Sequence, residues 1–264
     1  MTQTRAAIAR AYDRSAAAWR DGPARLVYDR LAEVLVASSP VSLRGRLVLD
    51  VGAGTGAASR SLAAAGATPV PVDVSASMLR ANPVGAARAV VADAVQLPLA
   101  SSGVDGVVAA FSFNHLPDAA AGFAEAARVC RPGSPVLVAS YAAEDSHPVK
   151  QAVDAALAEK GWQPEGWYAD LRAGAVPQLA TVTGMATAAE AGGLPGEATV
   201  VDVPFPELTP EDLVSWRLGL AQSAPFVATL DPPTRLSVVH RSLDLLGEAP
   251  PPLHRTMVVL SARK

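Results

Sequence analysis

Between residues 45 and 141, short apolar runs alternate with alanine-rich stretches of helical periodicity. The runs that are long enough for a strand cover residues 46–51, 69–73, 88–92, 104–111 and 135–141. Strands that are apolar throughout are typical of a parallel sheet whose two faces are both covered by helices. Ligands of such sheets bind at the carboxyl ends of the strands, near the point where the strand order reverses. The pattern therefore predicts an α/β core with its functional site at that edge.

Residues 1–40 predict two amphipathic helices that precede the core. On the first helix, Ile8, Tyr12 and Trp19 fall on one face. Aromatic side chains at this spacing usually pack in a core. The alternative, that Trp19 lies at the functional site, remains open. The amino-terminal segment is therefore expected to be helical and to pack against the core.

Residues 142–250 again predict helices, two of which begin near Thr209 and Asp231. Within this segment a strand is predicted at residues 198–203, and a last strand is predicted at residues 255–262. We expect one domain over the 264 residues, in which this segment forms a helical cap inserted after the fifth strand and placed over the acceptor site.

A glycine-rich loop follows the first predicted strand and reads Asp-Val-Gly-Ala-Gly-Thr-Gly over residues 50–56. Glycine allows a tight turn at positive φ and lets a ligand approach the main chain closely. A loop of this kind between a buried strand and a helix forms a nucleotide pocket. Gly52, Gly54 and Ala57 also satisfy the dinucleotide-binding pattern. The glycines alone therefore leave NAD(P) and S-adenosylmethionine (SAM) both open.

Three acids at the ends of successive strands distinguish these ligands. Asp50 lies two residues before Gly52, where a carboxylate would repel a pyrophosphate and attract the cationic groups of SAM. Asp73 lies about twenty residues further on, the separation expected for an acid that binds a ribose in either case. Asp93 ends the third run, and the loop itself contains no Lys or Arg. The acids favour a cationic nucleoside, although acids at strand ends also cap helices.

Five sequence segments occur in order at residues 50–56, 73–79, 92–98, 111–116 and 128–133. In these segments the chain resembles the class I SAM-dependent methyltransferases. It is most similar to the small-molecule branch with the ubiquinone/menaquinone and malonyl-carrier-protein methyltransferases. The resemblance implies SAM as the cofactor and an α/β, Rossmann-like fold. That fold has a seven-stranded, mostly parallel sheet of order 3-2-1-4-5-7-6, which ends in an antiparallel hairpin.

The resemblance also implies which residues bind SAM. Asp50 would hold the ammonium group, Asp73 the ribose hydroxyls and Asp93 the adenine amino group. The helical amino-terminal segment would lend the ring of Trp19. The complete set of expected cofactor-binding residues is Trp19, Asp50, Gly52, Ala53, Gly54, Gly56, Asp73, Val74, Met78, Asp93, Ala94 and Ser112.

His115 is the candidate catalytic residue, because it follows the fourth strand beside the expected position of the transferred methyl group. The unperturbed pKa of histidine, about 6.5, suits proton removal near neutrality. The alternative is that His115 hydrogen-bonds the backbone and orders its loop. Methyl transfer depends on alignment and exclusion of water, so a base is needed only for an acceptor that arrives protonated.

Aromatic and basic side chains outside the glycine loop are candidates for the acceptor pocket, although packing and salt bridges are their commoner roles. These candidates are Tyr141, Trp167, Tyr168, Arg172, Trp216 and Arg217. The histidines at positions 147, 240 and 254 are scattered without paired ligand spacing, so no metal site is predicted.

Composition narrows the function classes further. The chain has a formal net charge of −3, 18% charged residues and no run of Lys or Arg, which argues against nucleic acid as a partner. A single cysteine, Cys130, excludes an intramolecular disulfide. No secretory signal and no apolar run of membrane-spanning length occur, so we expect a cytoplasmic protein with no membrane partner.

The combined prediction is an enzyme that transfers a methyl group from SAM to O or N of a small-molecule acceptor, in the biosynthesis of a specialised metabolite. A close alternative is a carboxyl O-methyltransferase that acts on a free acid or on one tethered to a carrier protein. Two alternatives of other classes are an NAD(P)-dependent oxidoreductase and a non-catalytic SAM-binding protein. The sequence contains no Tyr-x-x-x-Lys pair that could protonate a carbonyl group, which argues against the oxidoreductase. The oligomeric state is not predicted.

Overall fold

A seven-stranded sheet forms the centre of the computed structural model, which describes residues 3–22 and 24–264. The strand order is β3-β2-β1-β4-β5-β7-β6, which confirms the predicted topology. Strand β7 runs antiparallel to both of its neighbours, and the other pairs are parallel. The strands are β1 Leu47–Val51, β2 Thr68–Asp73, β3 Val90–Val91, β4 Gly106–Ala110, β5 Pro135–Tyr141, β6 Gly196–Phe205 and β7 Leu253–Arg263.

Twelve α-helices surround the sheet in the described part of the chain. They are α1 Gln3–Asp21, α2 Ala24–Ala37, α3 Ala57–Ala64, α4 Ala76–Ala81, α5 Ala119–Val129, α6 Pro148–Ala158, α7 Gly166–Asp170, α8 Val176–Gln178, α9 Val182–Ala191, α10 Pro210–Leu218, α11 Ala224–Val227 and α12 Pro232–Leu246. A π-helical turn, Leu171–Ala175, joins α7 to α8. Of the predicted amino-terminal helices over residues 1–40, positions 1, 2 and 23 lie outside the described residues.

Two hydrophobic clusters cover the two faces of the sheet. One contains residues of α2, α3, α6, α10 and α12 together with residues of β1, β4, β5 and β7. The other contains residues of α5, α9 and β2, together with residues from the opposite faces of β1, β4, β5 and β7. Strands that are buried on both faces require a continuous apolar sequence, which explains why the core strands could be predicted from the sequence.

The two edge strands differ in length from the prediction. Strand β3 is reduced to Val90–Val91, and Val91 is 58% exposed. Strand β6 extends beyond residues 198–203 to Gly196–Phe205 and pairs with β7 along its whole length. Partners in the sheet determine where an edge strand ends, and apolarity is a weak guide there because one side faces solvent.

The loops that follow β1 and β4 leave the sheet beside each other, since these two strands are neighbours although distant in sequence. Such a reversal of strand order opens a crevice at the carboxyl ends of the strands. The described helices include none that is both long and apolar enough to cross a membrane.

Candidate active site

A cavity opens at the carboxyl edge of the sheet, and most of the predicted cofactor residues line it. The predicted residues found in its lining are Trp19, Asp50, Gly52, Ala53, Gly54, Asp73, Val74, Met78, Asp93, Ala94, Ser112 and His115. Gly56 is outside this lining and lies at the amino-terminal cap of α3 with φ 91°. The space that a side chain would need at Gly56 is occupied by Asn82. Packing against Asn82 therefore explains why position 56 is a glycine, without any contact to a ligand.

The glycine loop is held in place by main-chain hydrogen bonds. The amide groups of Gly52 and Ala53 donate to the carbonyl oxygen of Val72 at 2.7 and 2.9 Å. Gly52 has φ 71°, and a Cβ there would overlap the Cβ of Ser112. The Ser112 hydroxyl in turn donates to the carbonyl oxygen of Val51 at 2.6 Å. The absence of a side chain at Gly52 thus lets the loops after β1 and β4 pack together.

Gly54 serves a different purpose from Gly52. Its φ is 52°, and a Cβ there would have no protein atom within 4 Å, so it would project into open space. Its amide group donates to Asp73 Oδ2 at 2.9 Å. Because Gly54 lines the cavity, the empty space above it permits a ligand to lie directly against the main chain.

Asp50 presents an unpaired carboxylate oxygen beside the loop. It is 1% exposed; its Oδ2 accepts from Ser59 Oγ at 2.6 Å, while its buried Oδ1 has no hydrogen-bond partner. Burial raises the pKa of Asp50 to about 7. A buried carboxylate oxygen without a partner is costly unless a ligand supplies a donor or a positive charge. The ammonium group of SAM fits this requirement, and a pyrophosphate does not.

The other two acids also line the cavity and stabilise their own loops. Asp73 accepts from the amides of Gly54 at 2.9 Å and Ser75 at 2.8 Å, while burial raises its pKa despite these bonds. Asp93 accepts from the amide of Val95 at 3.1 Å. The turn-capping alternative therefore holds for both acids, and it coexists with their position at the cavity, since each carboxylate oxygen accepts more than one hydrogen bond.

Five aromatic rings also line the cavity, and we call them the aromatic wall. They are Tyr12, Trp19, Tyr28, Phe111 and Tyr141. Successive ring centroids lie 5.9, 4.6 and 5.8 Å apart from the first ring to the fourth, and the last two rings stack at 4.4 Å. Phe111 has φ 58°, an unfavourable backbone conformation for a bulky residue that is often found at functional sites.

Sequence reasoning missed two members of this wall. Tyr28 lies on α2 next to Val27, and the sequence signal there was only the apolar face of that helix. Phe111 belongs to the segment 111–116, but the sequence analysis assigned it no function. The sequence shows that Phe111 follows a strand, whereas its ring contacts depend on three separate elements that meet in space.

His115 closes the row of rings at one end. Its Nε2 lies 3.5 Å from the Tyr12 hydroxyl, and the two ring centroids are 5.7 Å apart. Burial lowers the pKa of His115 to about 4. The imidazole is therefore neutral at pH 7, and a group with so low a pKa is a weak base.

Helix α1 contributes Ile8, Tyr12 and Trp19 to the cavity lining, whereas the segment 142–250 contributes none of the lining residues. Asp13 on α1 accepts from Ser75 Oγ at 2.6 Å and from the Ser77 amide at 3.1 Å, which attaches the helix to the start of α4. Arg14 on the same helix pairs with Glu165 at 3.0 Å. Both contacts hold the ring-bearing face of α1 over the carboxyl ends of the strands.

The acceptor-pocket candidates beyond Tyr141 lie outside the cavity lining. Trp167 packs in a cluster with Ile8 and Ala11 of α1. Trp216 is 1% exposed, and Arg217 pairs with Asp154 at 2.7 Å. Packing explains Trp216 and a salt bridge explains Arg217, while Tyr168 joins the cluster of Trp167 and Arg172 is exposed. Within the described residues, no group of three or more metal-binding side chains occurs.

Comparison with known proteins shows what this region is similar to. A family model described as a methyltransferase domain matches residues 49–138. An O-methyltransferase of Pyrenophora dematioidea is 42% identical over 62 residues, which cover 24% of this chain and 23% of that protein. The match thus spans less than a quarter of the relative.

Solved structures share the fold at low sequence identity. A candidate methyltransferase from an antibiotic biosynthesis pathway of Anabaena variabilis has a TM-score of 0.60 at 17% identity, covering 88% of this chain and 96% of that one. Phosphoethanolamine N-methyltransferase 2 of Haemonchus contortus, in complex with SAM, has a TM-score of 0.52 at 18% identity, covering 89% of this chain and 52% of that one. Residues 49–138 are therefore similar to a methyltransferase domain, and the chain shares its fold with solved methyltransferase structures.

Proposed function

We propose that the protein transfers a methyl group from SAM to an oxygen or nitrogen atom of a small-molecule acceptor. The observation that carries this proposal is the buried, unpartnered Oδ1 of Asp50 beside the glycine loop. A cation satisfies that atom, whereas the phosphates of a dinucleotide would be repelled by it. The open space above Gly54 supports the same conclusion, because a ligand can contact the main chain there.

The cofactor-facing residues have separable roles. Asp50 would hold the ammonium group, and Asp73, which accepts from the Gly54 amide, would also accept from the ribose hydroxyls. Val74 and Met78, which line the cavity, would flank the adenine, and Asp93 would bind its edge. When bound, SAM supplies a methyl group on a positively charged sulfur. The protein then contributes alignment of the acceptor and a cavity with little water.

The aromatic wall supports a planar or apolar acceptor. Its rings offer a large contact area and few polar groups, which suits stacking with an aromatic or unsaturated molecule. The O-methyltransferase relative and the structural neighbour from an antibiotic pathway favour an O-directed reaction in specialised metabolism. Carboxyl methylation of a free or carrier-tethered acid is the narrower form of this proposal.

A thermal-shift experiment tests the proposal against the oxidoreductase alternative. S-adenosylhomocysteine (SAH) at 100 times its dissociation constant should stabilise the protein by about 2.7 kcal/mol, a visible shift in Tm. NADP⁺ at the same concentration should give no shift. Stabilisation by NADP⁺ and not by SAH or SAM would overturn the proposal. Radiolabelled SAM with a panel of phenols, carboxylic acids and amines then distinguishes a methyltransferase from a non-catalytic SAM-binding protein.

A further inference from the structure

A buried arginine lies directly behind the aromatic wall. Arg255 on β7 is 3% exposed, and its Cζ lies 3.9 Å from the centre of the Tyr141 ring. Phe111 stacks on the same ring at 4.4 Å. Two groups this close to one ring centre cannot share a face, so Phe111 and Arg255 lie on opposite faces of Tyr141. The guanidinium therefore lies directly against one ring of the aromatic wall, on the face that Phe111 does not cover.

The charge of Arg255 is incompletely balanced. Its Nε and Nη2 donate to the two carboxylate oxygens of Asp145, each at 2.9 Å. The same carboxylate also pairs with Lys150 Nζ at 2.7 Å. Two cations thus share one carboxylate, and Arg217, the other cation nearby, is paired with its own acid, Asp154.

One end of the guanidinium has no hydrogen-bond acceptor. Arg255 Nη1 is buried and has no partner in the protein. Besides Tyr141, the Trp216 ring lies 4.9 Å from Cζ. Ring faces stabilise a guanidinium, but they leave its positive field largely uncompensated. That field extends toward the cavity side of Tyr141.

Apart from the three acids assigned to the cofactor, the described lining residues offer no effective base, since the remaining candidates are Tyr12, Tyr28, Tyr141 and His115. The two arginines of the lining, Arg25 and Arg60, both pair with Asp29. Burial raises the pKa of each tyrosine and lowers the pKa of His115 to about 4. An acceptor methylated here therefore has to arrive with its lone pair already free.

We propose that the acceptor reacts as an oxygen anion, a carboxylate or an acidic phenol, and that Arg255 acts through Tyr141 as the residue that selects and positions it. This inference rests on the proposed methyl transfer. The anionic oxygen forms the new bond to the methyl carbon as the bond from that carbon to sulfur breaks. Sulfur keeps the electron pair, the two charges cancel, and no proton has to leave.

Binding of small probes tests this selectivity without requiring the natural acceptor. In protein saturated with SAH, benzoate, 4-nitrophenolate, benzamide and benzylammonium are compared by calorimetry. At least one of the two anions should bind tenfold or more tightly than benzamide and benzylammonium, and the better anion identifies the acid class. Equal binding of benzamide, or tighter binding of benzylammonium, would overturn the proposal.

Charge variants assign the selectivity to the network behind the wall. Arg255→Met should weaken the better anion at least tenfold while benzamide and SAH bind as before, and Arg255→Lys should restore most of the anion affinity. Lys150→Met removes the other cation that pairs with Asp145 and tests the same field where Arg255→Met is unstable, with an expected loss of about threefold. Arg241→Met removes a surface charge paired with Glu159 and is the matched control.

The outcomes separate this inference from the proposed function. Anion affinity that is unchanged in both Arg255→Met and Lys150→Met would overturn the role of Arg255. Failure of the wild-type protein to bind SAH would instead contradict the proposed function. The probe series on the free protein would then still decide whether the cavity prefers anions.

Discussion

At the residue scale, Gly54 and Gly45 provide a matched pair. Both have positive φ, and at neither would an added Cβ meet a protein atom within 4 Å, but only Gly54 lines the cavity. Alanine at either position should cost about 1–2 kcal/mol of stability from backbone strain alone. Gly54→Ala should in addition lower SAH affinity at least tenfold, because the methyl group occupies ligand space. Calorimetry measures the affinities, and an equal SAH affinity in the two variants would contradict this assignment.

Asp50 makes the free energy of unfolding of the ligand-free protein depend on pH, and the direction of that dependence follows from its pKa. Its pKa of about 7 lies above the unfolded value of 3.8, so the folded state keeps a proton that the unfolded state has lost. The contribution of Asp50 to the free energy of unfolding is therefore present at low pH and decreases by up to about 1.4 kcal/mol per unit as pH rises toward 7. His115 acts in the opposite direction, since its folded pKa of about 4 is below 6.5.

The informative quantity is the difference between wild type and Asp50→Asn. Denaturant unfolding at pH 5.5 and 7.0 should show that wild type loses stability relative to the variant as pH rises. SAH affinity of the wild type should increase over the same range, because the ligand ammonium stabilises the ionised carboxylate. A difference in stability that does not change with pH would show that Asp50 is ionised throughout.

At the scale of elements, α1 is held over the cavity by few polar contacts. Asp13 on α1 accepts two hydrogen bonds from the start of α4. Loss of a capping carboxylate costs about 1 kcal/mol. Asp13→Ala should therefore increase hydrogen exchange in α1 and weaken SAH binding several-fold, since Tyr12 and Trp19 move with the helix.

Asp21→Ala is the control for this experiment. Asp21 lies on the same helix and pairs with the adjacent Arg20. This variant should leave both the exchange of α1 and the affinity for SAH unchanged. Identical behaviour of the Asp13 and Asp21 variants would show that the contact with α4 does not hold the helix.

The strands of the core could be predicted from the sequence, whereas the contacts between distant elements could not. The positions of β1, β4 and β5 followed from their apolar runs, because a strand buried on both faces leaves a local signature. The three acids could be placed because parallel strands end at one edge. The aromatic wall was not predictable, since α1, α2, β5 and the loop after β4 contribute its rings and no local pattern records how these segments meet. The unpartnered oxygen of Asp50 and nitrogen of Arg255 are likewise properties of tertiary packing.

At the scale of the molecule, the segment 142–250 is part of the main core. Residues of α6, α10 and α12 share one hydrophobic cluster with residues of α2 and the central strands. We expect a single cooperative transition, with far-UV circular dichroism and tryptophan fluorescence giving the same midpoint in urea. Two transitions would show that the segment folds as a separate unit.

The position of β7 has a consequence for biosynthesis on the ribosome. This strand joins β5 to β6, although both of its neighbours are translated before it. A growing chain therefore exposes the edges of β5 and β6 that β7 covers, until β7 itself has emerged from the exit tunnel. Translation that stalls or terminates before β7 should yield aggregates rather than a loosened enzyme, and a holdase chaperone that binds during that interval should raise the recovered yield.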